Sequence, residues 1–195
     1  MLSLFDALVI YFTCLLLIEF LITTLLYSYS SFFETDSLFS LRVSMKTLFR
    51  NEELKYFSYF YQKTNVYPEN IIIIRNFVFF FVKGSDFFKV NAHLGSLRRS
   101  LGNKVLIIRV EKILINLLFS FFPDLYIHDI VSRMNKYTGN INITIYFISF
   151  EERGIAIGRN GEYIKAVNEI FKKYITFEKD IDSDSIKIKC EFFQL

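Results

Sequence analysis

A glycine loop between two apolar helical segments constrains this chain more than any other feature of its sequence. Residues 154–165 read GIAIGRNGEYIK, in which Gly158 and Gly161 enclose Arg159 and Asn160. Glycine lacks the Cβ atom that keeps another chain at a distance, and a helix that begins at Gly161 directs unpaired N–H groups outward. Together with the cation of Arg159, this pattern is typical of a loop that contacts a sugar-phosphate backbone.

The order of predicted elements repeats along the chain. Apolar runs at helical spacing and at strand spacing alternate with turn residues, and the same succession of six elements occurs twice. The sequence therefore predicts an α+β fold in which the order αββααβ appears in tandem. The first set is helix Met45–Lys63, strands Ile71–Ile74 and Phe77–Val82, a helical stretch that ends at Leu101 and strand Lys104–Val110; the second is helix Glu111–Phe122, strands Leu125–Met134 and Asn140–Phe150, helices 151–157 and 162–174 and strand Ser185–Phe192.

This order, with the glycine loop, resembles two type II KH domains in tandem. Residues 45–192 are similar to the tandem KH module of the NusA transcription factors, particularly the short archaeal NusA-like proteins. The residues that carry the resemblance are Arg153–Gly161 and Tyr163–Lys165 in the second half, and Glu53-Leu54, Thr64–Val66, Phe79–Val82 and Leu101–Val105 in the first. The resemblance implies two KH domains that bind single-stranded RNA, with the glycine loop clamping its backbone.

The first half departs from the family pattern. Its loop is expected near Phe88–Asn91, where both glycines are missing, and this half is interpreted as a degenerate domain. A second KH-bearing family, the small-subunit ribosomal protein with an N-terminal type II KH domain, also carries such a glycine loop. That family usually continues into a further domain. We therefore expect this chain to be either a structural subunit of an organellar ribosome or a NusA-like transcription accessory. The sequence alone leaves both alternatives open.

The N-terminal segment is apolar. Ala7–Tyr27 holds 21 residues with the single charge of Glu19, a length that crosses a bilayer. It is expected to be a hydrophobic helix, either in a membrane or buried against protein in a large assembly, since a central carboxylate is costly in lipid. The predicted division is residues 1–44 for this helix and a linker, 45–110 for the degenerate domain and 111–195 for the domain with the intact loop.

Charge and glycine placement select the candidate RNA-binding residues. Residues 45–123 hold 12 Lys and Arg against 5 Asp and Glu, an excess suited to a polyanion. Cations in this part and the loop with its apolar neighbours are expected to contact RNA. The candidates are Arg98, Arg99 and Lys104 in the first half, and Arg153, Ile155, Ile157, Gly158, Arg159, Asn160, Gly161, Ile164 and Lys165 in the second.

No residue constellation predicts catalysis, a metal site or a cofactor. Cys14 and Cys190 lie at opposite ends of the chain, and no phosphate-binding Gly-x-x-x-x-Gly-Lys occurs. Asp180, Asp182 and Asp184 are interpreted as a polar loop, and the Phe-rich run 77–81 as core. The chain is therefore predicted to be a non-enzymatic RNA-binding protein with protein subunits as further partners.

The composition bears on where the chain is made. It holds 24 Phe and 12 Tyr but no Trp, a bias towards residues with A/T-rich codons. This bias predicts an organelle-encoded, mitochondrial protein in the matrix or associated with the inner membrane. The alternative function is an inner-membrane complex subunit, in which residues 7–27 span the membrane and the KH folds are vestigial.

Overall fold

The computed structural model describes residues 38–47, 50–135, 137–178 and 181–193. The chain divides into two units, Met1–Leu38 and Phe39–Leu195, and the helices and strands between Val43 and Phe192 all belong to the second unit. The predicted helix at residues 7–27 lies outside the described residues. Within the described ranges, every helix is too short or too polar to cross a membrane.

The described chain is mixed α+β, and the order αββααβ occurs twice in it. The first repeat contains α1 (Asn51–Thr64), β2 (Asn70–Ile74), β3 (Phe77–Val82), α2 (Phe87–Asn91), α3 (Leu94–Leu101) and β4 (Lys104–Arg109). The second contains α4 (Leu114–Ser120), β5 (Ile127–Met134), β6 (Ile141–Phe147), α5 (Phe150–Ile157), α6 (Glu162–Tyr174) and β8 (Ile186–Phe192). Two short strands complete the fold, β1 (Val43–Met45) and β7 (Ile175–Phe177).

Each repeat builds a three-stranded sheet with the same topology. The strand orders are β2-β3-β4 and β5-β6-β8, and in each the first pair is antiparallel and the second parallel. A tight turn joins the antiparallel pair, whereas parallel neighbours require a crossover, which the two helices of each repeat supply. The predicted hairpin at residues 71–82 is confirmed in this sheet.

The aromatic strand β3 is buried on both faces, as predicted for the Phe-rich run. Val78, Phe80 and Val82 join Phe60 of α1 in the core of the first repeat. The alternate residues Phe77, Phe79 and Phe81 face the second repeat, where Phe79 stacks on Tyr163 with ring centroids 6.2 Å apart. A strand covered on both sides reads as a continuous apolar run, which explains the sequence FVFFFV.

The strands β1 and β7 were not predicted. They pair antiparallel, with Val43 opposite Phe177, and the predicted domain boundary between residues 44 and 45 falls inside β1. Val43 N–H also donates to Lys112 O at 2.8 Å, on the connection between the repeats. The expectation that a helix begins at Met45 was wrong, because this segment pairs as a strand and α1 begins at Asn51.

Other predicted boundaries also differ from the structure, among them the strand expected from Leu125, which begins at Ile127. The helix expected from Glu111 begins at Leu114, since Ile113 is extended and bridges to Arg42. The strand expected to reach Phe150 ends at Phe147, because the Ser149 hydroxyl accepts from Glu152 N–H at 3.1 Å and starts α5. The single helical stretch expected up to Leu101 consists of α2 and α3.

Candidate nucleic-acid interface

The glycine loop connects α5 and α6 with positive φ angles at both glycines. Gly158 has φ 73° and ψ 167°, and Gly161 has φ 70°. A Cβ atom on Gly158 would lie 2.8 Å from Tyr163 Cβ, so the first glycine also permits close packing on the start of α6. A Cβ atom on Gly161 would meet no atom closer than 3.6 Å. Glycine is therefore needed at Gly158 for space and conformation, whereas at Gly161 it is favoured by conformation alone.

The two residues inside the loop are open to solvent. Arg159 and Asn160 are exposed, and Asn160 has a left-handed conformation with φ 54°. Lys165 Nζ donates to Asn160 O at 3.1 Å, which holds a second cation against the loop. The loop thus presents an arginine, an amide and a lysine together on an exposed turn.

A cavity of about 450 Å³ lies between the two repeats and includes part of this loop. Five of the residues predicted from sequence line it, and they come from both halves of the chain. Its walls are largely apolar with a few polar groups, which is the usual character of a binding pocket. The polar side chains of the lining belong to Asn91, Arg98, Asn103, Lys104, Asp124 and Arg159. The predicted residues that meet here are Arg98, Lys104, Ile155, Gly158 and Arg159.

The cations of the first repeat are partly engaged by protein groups. Arg98 Nε donates to Val105 O at 3.1 Å, an attachment that leaves the rest of its guanidinium group available. Lys104 Nζ lies 3.0 Å from Glu162 Oε2 and 5.0 Å from the Phe77 ring centroid. The hydrogen bond from Lys104, together with its charge, lowers the pKa of the Glu162 carboxyl from its ordinary value.

Other predicted site residues lie away from the cavity. Arg99 is exposed but does not line it, and Arg153 Nε donates to Cys190 O at 3.4 Å, towards strand β8. Ile157 and Ile164 are half-buried outside the lining, so of the three predicted isoleucines only Ile155, which is 57% exposed, reaches the cavity.

The degenerate loop of the first repeat has a conformation that needs no glycine. Phe88–Asn91, where the loop was expected, lies inside α2, and the chain turns at Ala92 and His93 instead. Their φ values are −58° and −92°, which any residue adopts. The position predicted for this loop was therefore wrong by a few residues.

Several lining residues were not found from the sequence. Asn91 and Leu94 flank the degenerate turn, and Asn103 precedes β4. Tyr163 forms a wall, and its buried hydroxyl donates to Phe121 O. Burial raises the pKa of the Tyr163 hydroxyl, so it stays a protonated donor. A tyrosine at an apolar helix position looks like ordinary core, and only packing between the repeats makes Tyr163 a wall of the cavity.

Comparison with known proteins bears on the fold alone. The sequence matches no protein-family model and no curated protein. The structure is similar to the crystal structure of a protein designated APE1850, with a TM-score of 0.52 and 22% sequence identity. The similarity covers 73% of this chain and 100% of that chain, so a similar fold extends over the whole of that chain.

Proposed function

We propose that this chain is a non-enzymatic RNA-binding protein made of two tandem type II KH domains. Three structural features support the proposal. The order αββααβ occurs twice, each sheet pairs its last strand parallel to the middle one, and a Gly-x-x-Gly loop joins α5 and α6. This combination is the framework on which KH domains hold single-stranded nucleic acid.

The observation that carries the proposal is that predicted RNA-binding residues from both halves of the chain line one cavity. Arg98 and Lys104 were singled out for the charge of the first half, and Gly158 and Arg159 for the loop of the second. These positions are about 60 residues apart in sequence, yet they line the same space. A single RNA segment that crosses the cavity therefore contacts both repeats.

Each group has a distinct part in binding. The glycine loop lets a sugar-phosphate chain approach its backbone, and Arg159 and Arg98 pair with phosphates on either side of the cavity. The apolar wall, which includes Ile155 and Tyr163, accommodates an unstacked base. Glu162 opposes binding, because its carboxylate follows the loop directly and already pairs with Lys104.

Because Lys104 is already paired with Glu162, we favour a chain that is a permanent subunit of a ribonucleoprotein over one that scans transcripts freely. Arg98 and Arg159 are the lining cations without an ion pair among the described residues, so a short RNA gains few phosphate contacts in this cavity. Such weak RNA contacts suit a ribosomal subunit, which has additional protein contacts, better than an accessory that must bind RNA alone. The ribosome in question would lie in the mitochondrial matrix or beside the inner membrane.

The test is a charge reversal in the loop. Arg159→Asp together with Asn160→Asp places two carboxylates where the phosphates are expected, and both positions are exposed. Binding of the full chain to a fluorescein-labelled single-stranded oligouridine is measured by anisotropy, and thermal melting is recorded beside it. We expect affinity to fall by at least about tenfold while the melting temperature is retained.

A matched control carries the same change in charge elsewhere. Asn51→Asp with Lys55→Asp alters an exposed amide and an exposed lysine on α1, which do not line the cavity. Equal losses in the two variants would assign binding to overall charge. An unchanged affinity in the loop variant would make the loop a simple helix connection and refute the proposal.

A further inference from the structure

The second sheet has one buried face and one face that is open to solvent. The alternate residues of β6 from Ile141 to Phe147 are buried, whereas Asn142, Thr144 and Tyr146 between them are half-buried. Side chains of paired residues in neighbouring strands point to the same side of a sheet. The partners of these three residues on β5 and β8 therefore share the open side, which is called the outer face.

The outer face is built of three rows that cross the sheet, and its charges are separated along the strands. The first row holds cations at both ends, and the third row holds carboxylates at both ends. In the order β5, β6, β8, the rows are Arg133, Asn142 and Lys187; Val131, Thr144 and Lys189; and Asp129, Tyr146 and Glu191.

The charged groups of the outer face are available to a partner. Arg133, Lys187, Lys189, Asp129 and Glu191 are all exposed, and none of them forms an ion pair with another residue that the structure describes. The Asp129 carboxylate accepts from Ile130 N–H at 2.8 Å through one oxygen, which leaves its second oxygen open. Beyond the acidic row, His128 packs on Phe193 with ring centroids 4.2 Å apart.

Several neighbouring charges belong to the helix side of the sheet instead. Arg153 donates from α5 to the backbone of β8. Asp182 and Asp184 line a pocket with Ile141, a residue of the buried face, and Asp184 is already paired with Lys172 at 3.0 Å. The outer face itself thus holds three cations and two carboxylates, each kind gathered towards one end.

We propose that the outer face binds a second copy of this chain, with the strands of the two copies antiparallel. A two-fold axis across the strands, through the middle row, places β5 over β5 and β8 over β8 and brings the first row of one copy onto the third row of the other. Arg133 then meets Asp129 of the other copy, and Lys187 meets Glu191, so each ion pair forms twice. Two packed sheets lie about 10 Å apart, a gap that these side chains span.

The uncharged residues of the face fit the same arrangement. Asn142 of the first row meets Tyr146 of the third, which sets an amide group opposite a phenol hydroxyl. Val131 and Thr144 meet their own counterparts beside the axis, where small side chains allow the sheets to approach. Polar and apolar groups are therefore matched across the whole face.

The charge pattern distinguishes this partner from others. An axis parallel to the strands would set each row against itself, with Arg133 over Lys187 and Asp129 over Glu191, so like charges would meet. RNA would face two carboxylates beside the three cations. Three strands and three rows form a face only about 15 Å across, so we expect a weak dimer in the high-micromolar range.

Lys189 gives the two-fold arrangement a distinctive signature. It lies in the middle row, so its two copies approach each other across the axis. Removing this charge should strengthen the dimer, because two ammonium groups no longer repel each other. The same change would weaken binding of RNA, which loses a cation. The inference does not depend on the proposed RNA binding, since these residues are separate from the cavity.

The experiment measures self-association of the full chain by sedimentation equilibrium over a range of concentrations. Arg133→Asp and Asp129→Arg are compared singly and together, since the double variant exchanges the two charges. We expect each single variant to weaken the dimer at least about tenfold, because every change acts twice in a two-fold interface. The double variant should return to within about threefold of wild type. Lys189→Gln should strengthen the dimer at least about twofold.

A second pair and two controls keep the test decisive. Lys187→Glu, Glu191→Lys and their combination repeat the exchange at the β8 side, which covers the case in which a change beside the bulge of β5 alters the fold. Arg42→Asp and Glu178→Arg make the same changes in charge on exposed residues outside the outer face, and should leave sedimentation unchanged.

Each contrary outcome overturns the proposal. A chain that stays monomeric at every concentration, or an association that the single reversals leave unaltered, would mean that the outer face does not pair with itself. Double variants that stay as weak as the single ones would rule out the two-fold register. Equal losses in the controls would assign association to overall charge. Weaker oligouridine binding in Lys189→Gln, with unchanged sedimentation, would assign the face to RNA.

Discussion

Lys104 Nζ lies 3.0 Å from Glu162 Oε2, and this ion pair joins the last strand of the first repeat to the residue that follows the glycine loop of the second. Lys104 is the first residue of β4 and Glu162 the first of α6. One of the cations expected to meet phosphate is therefore satisfied by protein. The pair connects the two sides of the cavity at the point where RNA is proposed to cross.

Removing the negative charge of Glu162 should strengthen RNA binding. In Glu162→Gln, Lys104 loses its ionic partner and the carboxylate next to the loop disappears. We expect oligouridine affinity to rise about threefold at low salt, the size of one exposed charge interaction. Glu178→Gln, which removes an exposed pair with Arg42, should have no effect. An affinity that stays level or falls in Glu162→Gln would show that Lys104 contributes nothing to RNA binding.

The same ion pair should make stability depend on pH in the acidic range. Lys104 lowers the pKa of Glu162 in the folded state, so its contribution is present above the ordinary carboxyl pKa and is lost as the pH falls through the lowered value. The melting temperature of wild type should exceed that of Glu162→Gln near neutral pH, and the difference should shrink below about pH 4. Lys104→Met should show the same loss, and a difference that grows in acid would contradict this assignment.

The two loop glycines should differ in what they cost to replace. Gly158→Ala places a Cβ atom 2.8 Å from Tyr163 Cβ in a conformation that is essentially restricted to glycine, whereas Gly161→Ala meets only ordinary contacts. We expect the free energy of unfolding to fall by about 3 kcal/mol in the first variant and about 1 kcal/mol in the second. Urea unfolding measures both, and equal losses would mean that packing on α6 is unimportant.

The hydroxyl of Tyr163 should stabilise the packing of α6 against the end of α4 within the second repeat. It is buried and donates to Phe121 O, so Tyr163→Phe leaves that carbonyl without this donor. The expected loss is about 1–2 kcal/mol in the free energy of unfolding. Tyr137→Phe is the matched control, because Tyr137 is fully exposed. Indistinguishable unfolding curves for the two variants would show that this hydrogen bond contributes nothing to stability.

Cys190 should resist alkylation in the folded protein. Burial raises the pKa of its thiol to about 12, so the reactive thiolate is scarce at pH 8. In a Cys14→Ser background, iodoacetamide should label Cys190 slowly until urea unfolds the chain. Rapid labelling of the folded protein would show that the β8 strand opens readily.

The sequence predicted those elements that depend only on residues close together in the chain. The apolar run Phe77–Val82 after Arg75-Asn76 predicted a hairpin strand, and Gly158 and Gly161 marked a turn with positive φ angles, which favour glycine. The sequence also holds a signal for the helix start at Ser149, because Ser149 and Glu152 have the spacing of a capping pair. The apolar residues before Ser149 nevertheless favoured a longer strand.

Long-range pairing decided the rest. Three-residue strands such as β1 and β7 have no stability of their own, and Val43 becomes a strand residue only because Phe177 lies opposite it, more than a hundred residues along the chain. The cavity arises in the same way, since Arg98 and Arg159 share one space through the packing of Phe79 against Tyr163. Residue type and spacing thus select turns, helices and strands, which depend on near neighbours. Tertiary packing selects which charges meet, because that depends on contacts between distant segments.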